Sequence, residues 1–216
     1  MHNVRVPVAK EGVPFIGIST LATVVLAVLQ FKVAALLCLS LTGFILYFFR
    51  DPDRIVPTGE DLITSPADGK VIEVTRDQEP YFSGDASIRI SIFMNVFNCH
   101  VNRAPIHGRV VDIKYQQGCF LCANKKRAMV ENERAAMLLE DVKGRRVTVV
   151  QVAGLVARRI VCWAEPGDKL RLGQRYGMIR FGSRLDVYLP EKVKVTVEKG
   201  HHVLAGQSVL GKMESV

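Results

Sequence analysis

The sequence predicts a mainly β protein in two parts. An N-terminal hydrophobic helical hairpin occupies residues 1–50, and a compact barrel-sandwich-like β domain occupies residues 51–216. Three observations predict it. Residues 13–31 and 33–49 are two apolar runs separated by Lys32, the only formal charge among them. Beyond residue 50 the apolar residues fall in short, β-rich segments bounded by Gly, Pro and Asn turns. Two turn-strand units, residues 167–174 and 202–207, look like one another, each running through a Gly-Gln pair into a hydrophobic strand.

The apolar runs come first. Each is just under the roughly 20 residues that a spanning helix needs, and a turn at Gln30-Phe31-Lys32 makes them a membrane hairpin. A single longer helix and a cleavable signal peptide are the competing readings. A second run of similar length argues against the signal. Arg5 and Lys10 precede the pair while Arg50 and Arg54 follow it, so the excess of positive charge puts both ends on the cytoplasmic face of the cell membrane. A buried core hairpin would need covering helices, and little downstream has helical pattern.

Residues 50–57 are charged and proline-rich and mark the exit from the apolar region. Residues 63–74 contain a Ser65-Pro66-Ala67-Asp68-Gly69 turn followed by the alternating strand segment 70–74, and strands are also expected at 88–94, 110–115, 146–152, 156–163 and 193–197. Residues 132–139 are the best short helical candidate.

Composition narrows the partners. The formal net charge of +8 calls for an anionic partner, and beside an apolar hairpin an acidic lipid surface is expected rather than nucleic acid. Five cysteines, 38, 99, 119, 122 and 162, are odd in number and lack a disulfide-framework spacing, which points to a reducing compartment. Cys119 and Cys122 have the spacing of half a zinc site with no second pair to complete it, so no metal is expected. Lys125-Lys126-Arg127, near Phe120 and Leu121, is a solvated run or a loop that meets anionic head groups.

The chemistry centres on Arg180-Phe181-Gly182-Ser183-Arg184. A Gly-Ser pair is ordinarily a surface turn, but this one sits inside β-type sequence, between Ile179 and the run Leu185-Asp186-Val187-Tyr188-Leu189. A serine preceded by glycine can attack the uncrowded glycine carbonyl and turn the peptide into an ester. Elimination then leaves dehydroalanine, which hydrolyses to a pyruvoyl group with loss of ammonia. Such a ketone captures a substrate amine as a Schiff base and acts as an electron sink.

Phe181-Gly182-Ser183-Arg184, with the Ser65–Gly69 stretch and His100-Val101-Asn102-Arg103-Ala104-Pro105 upstream, resembles the phosphatidylserine decarboxylase family in its short prokaryotic form. Asp51-Pro52, Glu131-Asn132-Glu133-Arg134 and residues 151–159 follow the same order, so the resemblance covers nearly the whole chain. It implies self-cleavage between Gly182 and Ser183 into residues 1–182 and 183–216. The fragments stay associated, a pyruvoyl group derived from Ser183 is the covalent cofactor, and a homodimer is left open. The implied reaction takes phosphatidylserine to phosphatidylethanolamine and carbon dioxide.

By residue chemistry alone Asp68 could simply cap backbone amides in its turn, and a lone His100 is more often structural. The resemblance makes Asp68, His100 and Ser183 the catalytic set, in which the carboxylate orients the imidazole and the imidazole takes the hydroxyl proton. One position departs from the family. Many members carry a second histidine where this chain has Arg103, which leaves His100 to serve both self-cleavage and decarboxylation or brings in His107. Arg103 is then available as a carboxylate or phosphate ligand. Two alternatives remain: an archaetidylserine-type ether lipid with the same serine head, and a membrane-tethered carrier module of lipoyl or biotinyl type bearing Lys212. A carrier lysine belongs at a hairpin tip, and Lys212 lies near the chain end.

Overall fold

A 3-10 turn, Lys10–Gly12, leads into α1 (Val13–Val28), where Pro14 occupies the first turn and its missing N–H goes unneeded. Gln30 takes φ 63° in the turn that follows, and α2 runs over Lys32–Phe48. The computed structural model describes residues 7–59, 61–118, 132–154, 160–180 and 183–214. It divides the chain into two compact units, Met1–Asp53 and Arg54–Val216.

The helical pair is built inside out relative to a water-soluble hairpin. Its seam is polar: Ser19 and Thr42 are buried, the Thr23 and Thr42 hydroxyls are 3.4 Å apart, and Cys38 Sγ donates to the Ser19 carbonyl at 3.7 Å. Its outside is apolar, with Ile18, Leu21, Val24, Val33, Leu36 and Leu37 each more than half exposed. Small polar residues between helices and large apolar ones outside are the arrangement hydrocarbon favours. The base is closed by an Ala9 N–H to Phe49 carbonyl bond of 2.8 Å and by Phe49 against Gly12, where a Cβ would lie 2.5 Å from the ring.

The second unit carries fourteen strands among the described residues. They are β1 (Leu62–Thr64), β2 (Gly69–Gln78), β3 (Ala86–Met94), β4 (Val101–Arg103), β5 (Gly108–Gln116), β6 (Arg134–Glu140), β7 (Arg146–Val152), β8 (Ile160–Cys162), β9 (Lys169–Leu170), β10 (Arg175–Ile179), β11 (Ser183–Pro190), β12 (Lys194–Val195), β13 (His202–Val203) and β14 (Val209–Lys212). Eight form one curled antiparallel sheet in the order β13-β2-β3-β11-β7-β6-β5-β9. Two three-stranded sheets, β4-β10-β8 and β1-β14-β12, complete the unit. Alternation sets the core: Ile90 and Ile92 of β3, Val147 and Val149 of β7, and Leu185, Val187 and Leu189 of β11 all belong to one buried cluster.

Several expectations change. Residues 132–139 are not a helix: β6 covers 134–140, and Ala135, Met137 and Leu139 alternate into the core between β5 and β7. The segment 70–74 expected to follow the Ser65–Gly69 turn lies within β2, and β1 precedes that turn. The strand expected at 156–163 is described only as β8, since residues 155–159 lie outside the described ones. The basic run 125–127 and Cys119 and Cys122 also lie outside. Lys212 sits within β14, in register with Leu62 of β1 and Lys194 of β12, rather than at a hairpin tip.

The similar segments 167–174 and 202–207 are related by an internal pseudo-twofold. They contain the two edge strands, β9 and β13, of the large sheet. Gly173 and Gly206 both adopt positive φ, 73° and 71°, and pack together so closely that a Cβ on Gly206 would lie 3.2 Å from Gly173 Cα. The turns before β2 and β5 obey the same operation: Thr64 N–H bonds the Pro105 carbonyl and Arg103 N–H the Pro66 carbonyl, both at 2.9 Å. Gly206 N–H bonds the Ser65 carbonyl as Gly173 N–H bonds that of Ala104. Under this operation Asp68 and His107 are equivalent. Asp68 Oδ1 accepts from the Ala205 N–H at 2.7 Å, and His107 Nδ1 accepts from the Leu172 N–H at 3.2 Å.

Candidate active site

Strand register gathers one end of the large sheet around Ser183. Ser183, first in β11, pairs with Met94, last in β3, and on the other side of β3 Lys70 pairs with Phe93. Asp68 therefore precedes β2 at the same end, and the two flanking strands lie about 10 Å apart at ordinary sheet spacing. Gly69 permits that closeness, since a Cβ there would lie 2.2 Å from the Phe93 carbonyl oxygen.

Ser183 is fully buried and lies on the core face in line with Leu185 and Val187. Its hydroxyl donates only to Met94 Sδ, at 4.0 Å, among the described residues. A thioether is a weak acceptor, so the hydroxyl is desolvated with only a weak partner among the described residues. Phe181 and Gly182 lie outside the described residues.

His100 is also fully buried, and its carbonyl accepts from Ile179 N–H at 3.4 Å. Ring Nδ1 lies 3.0 Å from the Asn98 carbonyl. A carbonyl can only accept, so Nδ1 carries a proton, and it is on Nε2 that a neutral ring has its lone pair. The carbonyl is held by an Asx turn: Asn98 Oδ1 accepts from Asn95 N–H and Asn95 Oδ1 from Phe97 N–H, both at 2.9 Å.

Asp68 departs from the expected orienting role. Its Oδ2 pairs with Arg54 Nη2 at 2.7 Å and its Oδ1 takes the Ala205 amide, so among the described residues both oxygens are used and neither meets the imidazole. The Asn98 carbonyl, not the carboxylate, fixes the histidine tautomer. Arg103 is buried, with Nη1 donating to the Gly173 carbonyl at 3.2 Å, and His107 is exposed.

Two amides complete the buried end. Gln151 Nε2 donates to Asn102 Oδ1 at 2.8 Å, and Asn102 Nδ2 reaches the same Met94 sulfur at 3.9 Å. Both stand in motifs that marked the chain as a resemblance, yet only the fold brings them to Ser183.

The opposite face of β11 is charged. Arg184 Nε binds Asp186 Oδ1 at 2.6 Å and its Nη2 binds Ser91 Oγ at 2.7 Å, while Arg89 of β3 binds Ser91, Glu73 and Asp77. Arg184 and Asp186 are each 2% exposed. Burial and then the Asp186 carboxylate raise the Tyr188 phenol well above the usual tyrosine range, which keeps it neutral beside this network. Removing one partner strands a buried charge: Arg184→Met is expected to destabilise by about 3–5 kcal/mol, and Arg184→Met with Asp186→Leu to recover most of it. Chemical denaturation of uncleaved chains measures both.

Known proteins are similar to this chain over nearly its whole length. The phosphatidylserine decarboxylase family model matches residues 41–211. A phosphatidylserine decarboxylase proenzyme of Geotalea uraniireducens is 50% identical over 211 residues, covering 98% of this chain and 99% of its own. Proenzymes of the same description from Geobacter metallireducens and Nitratidesulfovibrio vulgaris are 50% and 48% identical, each over 98% of this chain and over 99% and 97% of their own lengths. With the family model covering most of the chain and such identity along its full length, the chain belongs to the phosphatidylserine decarboxylase family.

Proposed function

We propose that this chain is a proenzyme that cleaves itself between Gly182 and Ser183 and then converts phosphatidylserine to phosphatidylethanolamine and carbon dioxide. The observation that carries the reading is the Ser183 hydroxyl, fully buried at the end of a central strand with a sulfur as its partner. His100 Nε2 takes the hydroxyl proton as the oxygen attacks the Gly182 carbonyl, and the nitrogen of residue 183 leaves protonated. Loss of the Cα proton then expels the Gly182 carboxylate. Water replaces the nitrogen, which departs as ammonia.

The pyruvoyl group so formed supplies a carbonyl for the substrate amine and a sink for the electrons of the departing carboxylate. The buried surroundings fit it: Ser183 is packed beside Met94 with a polar pair, Asn102 and Gln151, at the same sulfur. His100 returns a proton to the substrate carbon. Arg103 serves the substrate carboxylate or phosphate, for which its planar fork is suited.

The fragments hold together after cleavage. β11 begins at Ser183 and is bonded to β3 on one side and β7 on the other, so residues 183–216 cannot leave without opening the large sheet.

The helical pair is the membrane anchor, with both ends on the cytoplasmic face. The stretch Lys10–Val28 is long and apolar enough to cross a bilayer, and the outward apolar surface of both helices supports the reading. Apolar insertion is insensitive to ionic screening. The full chain is therefore expected to stay with membranes in high salt and to be released by detergent. Release by salt alone would mean that charge, not the hairpin, holds it there.

Release of carbon dioxide from phosphatidylserine vesicles by the purified chain tests the activity, and none from a cleaved preparation would contradict it.

A further inference from the structure

The pseudo-twofold separates the architectural part of Asp68 from the part that is its own. Its bond to the Ala205 amide has a twin in His107 and Leu172, so that contact belongs to the turn. Among the described residues its pairing with Arg54 has no counterpart at His107, whose hydrogen bond there is the one to the Leu172 amide. Arg54 holds the carboxylate with one arm of its fork and Gln207 Oε1 with the other, at 3.0 Å. Both side chains of the pair are largely buried, 12% and 4% exposed. A carboxylate bonded through both oxygens, to a guanidinium on one and a backbone amide on the other, is fixed in direction.

We infer that Arg54 is a positioning residue for self-cleavage, acting by holding the Asp68 carboxylate at the Ser183 end of the sheet. This rests on the reading, implied by the family resemblance, of Asp68 as part of the self-cleavage set, acting from the Ser183 end of the sheet and not through a bond to the imidazole. Arg54 is the first residue of the second unit, so the segment that opens that unit supplies the cation. Cofactor formation then depends on that segment being seated against the turn before β2.

The test follows self-cleavage of freshly synthesised full-length chains by intact mass over time. Asp68→Asn is expected to slow cleavage strongly, and Arg54→Met on the order of 100-fold, because the remaining buried charge loses its partner. Arg54→Lys, which keeps the charge but not the fork to Gln207, should stay within about tenfold of the parent. In the Asp68→Asn background Arg54→Met should add no further slowing, as expected for a residue that acts only through Asp68. Should the Met chain fail to fold, Arg54→Gln takes its place.

Parental cleavage of Arg54→Met beside a blocked Asp68→Asn would overturn this inference and leave the reading of Asp68 standing. Parental cleavage of both would remove that reading and the inference with it. Equal slowing by Lys and Met, or further slowing in the Asp68→Asn background, would make Arg54 a general support of the fold and overturn its positioning role.

Discussion

Ser183→Ala is expected to remain one uncleaved chain with no decarboxylase activity. The substitution removes the only oxygen that can convert the 182–183 peptide into an ester, and with it the source of the cofactor. It should disturb the fold little. The hydroxyl gives up one weak contact to Met94 Sδ at 4.0 Å, and deleting a group so poorly bonded costs about 1 kcal/mol or less. Thermal unfolding within a few degrees of an uncleaved parent would show that the loss is chemical. A cleaved and active Ser183→Ala chain would remove Ser183 from the mechanism.

His100→Ala is expected to slow self-cleavage by about 10²–10⁴-fold, the usual contribution of a positioned general base. The geometry gives the reason: Nδ1 is committed to the Asn98 carbonyl, which leaves Nε2 as the basic atom. Asn95→Ala should show a smaller defect, because it loosens the Asx turn that holds that carbonyl while leaving the imidazole in place. Any His100→Ala chain that does cleave should also turn over slowly, since in the proposed mechanism the same ring returns the proton after carbon dioxide leaves. Normal cleavage and turnover in His100→Ala would move both roles elsewhere, and His107→Ala would be the next variant to measure.

Much of this was legible in residue order. Apolar runs fixed both helices to within a few residues, because nothing but Lys32 interrupts them. The run Leu185-Asp186-Val187-Tyr188-Leu189 was readable as β-type sequence, and β11 covers it. Residues 132–139 misled because Ala135, Ala136, Met137, Leu138 and Leu139 are good helix formers, and only pairing with β5 and β7 decides against helix.

The pseudo-twofold was half visible. The Gly-Gln units stood out, whereas Pro66-Ala67-Asp68-Gly69-Lys70-Val71 and Pro105-Ile106-His107-Gly108-Arg109-Val110 share only Pro, Gly, a cation and Val at equal spacing. What residue order could not supply was side-chain partnership. Asp68 and His100 suggested a bonded pair, yet Arg54 and the Ala205 amide take the carboxylate and the Asn98 carbonyl takes the ring. Gln151 and Asn102 are 49 residues apart in sequence, and no local pattern announces a bond between them.

The central claim is that the chain makes its own cofactor at residue 183, and the intact mass of the purified full-length protein tests it most directly. The account predicts two species, residues 1–182 and 183–216, with the smaller lighter by one ammonia than the same peptide beginning with serine. A single unmodified mass for residues 1–216, in a preparation that decarboxylates phosphatidylserine, would contradict it.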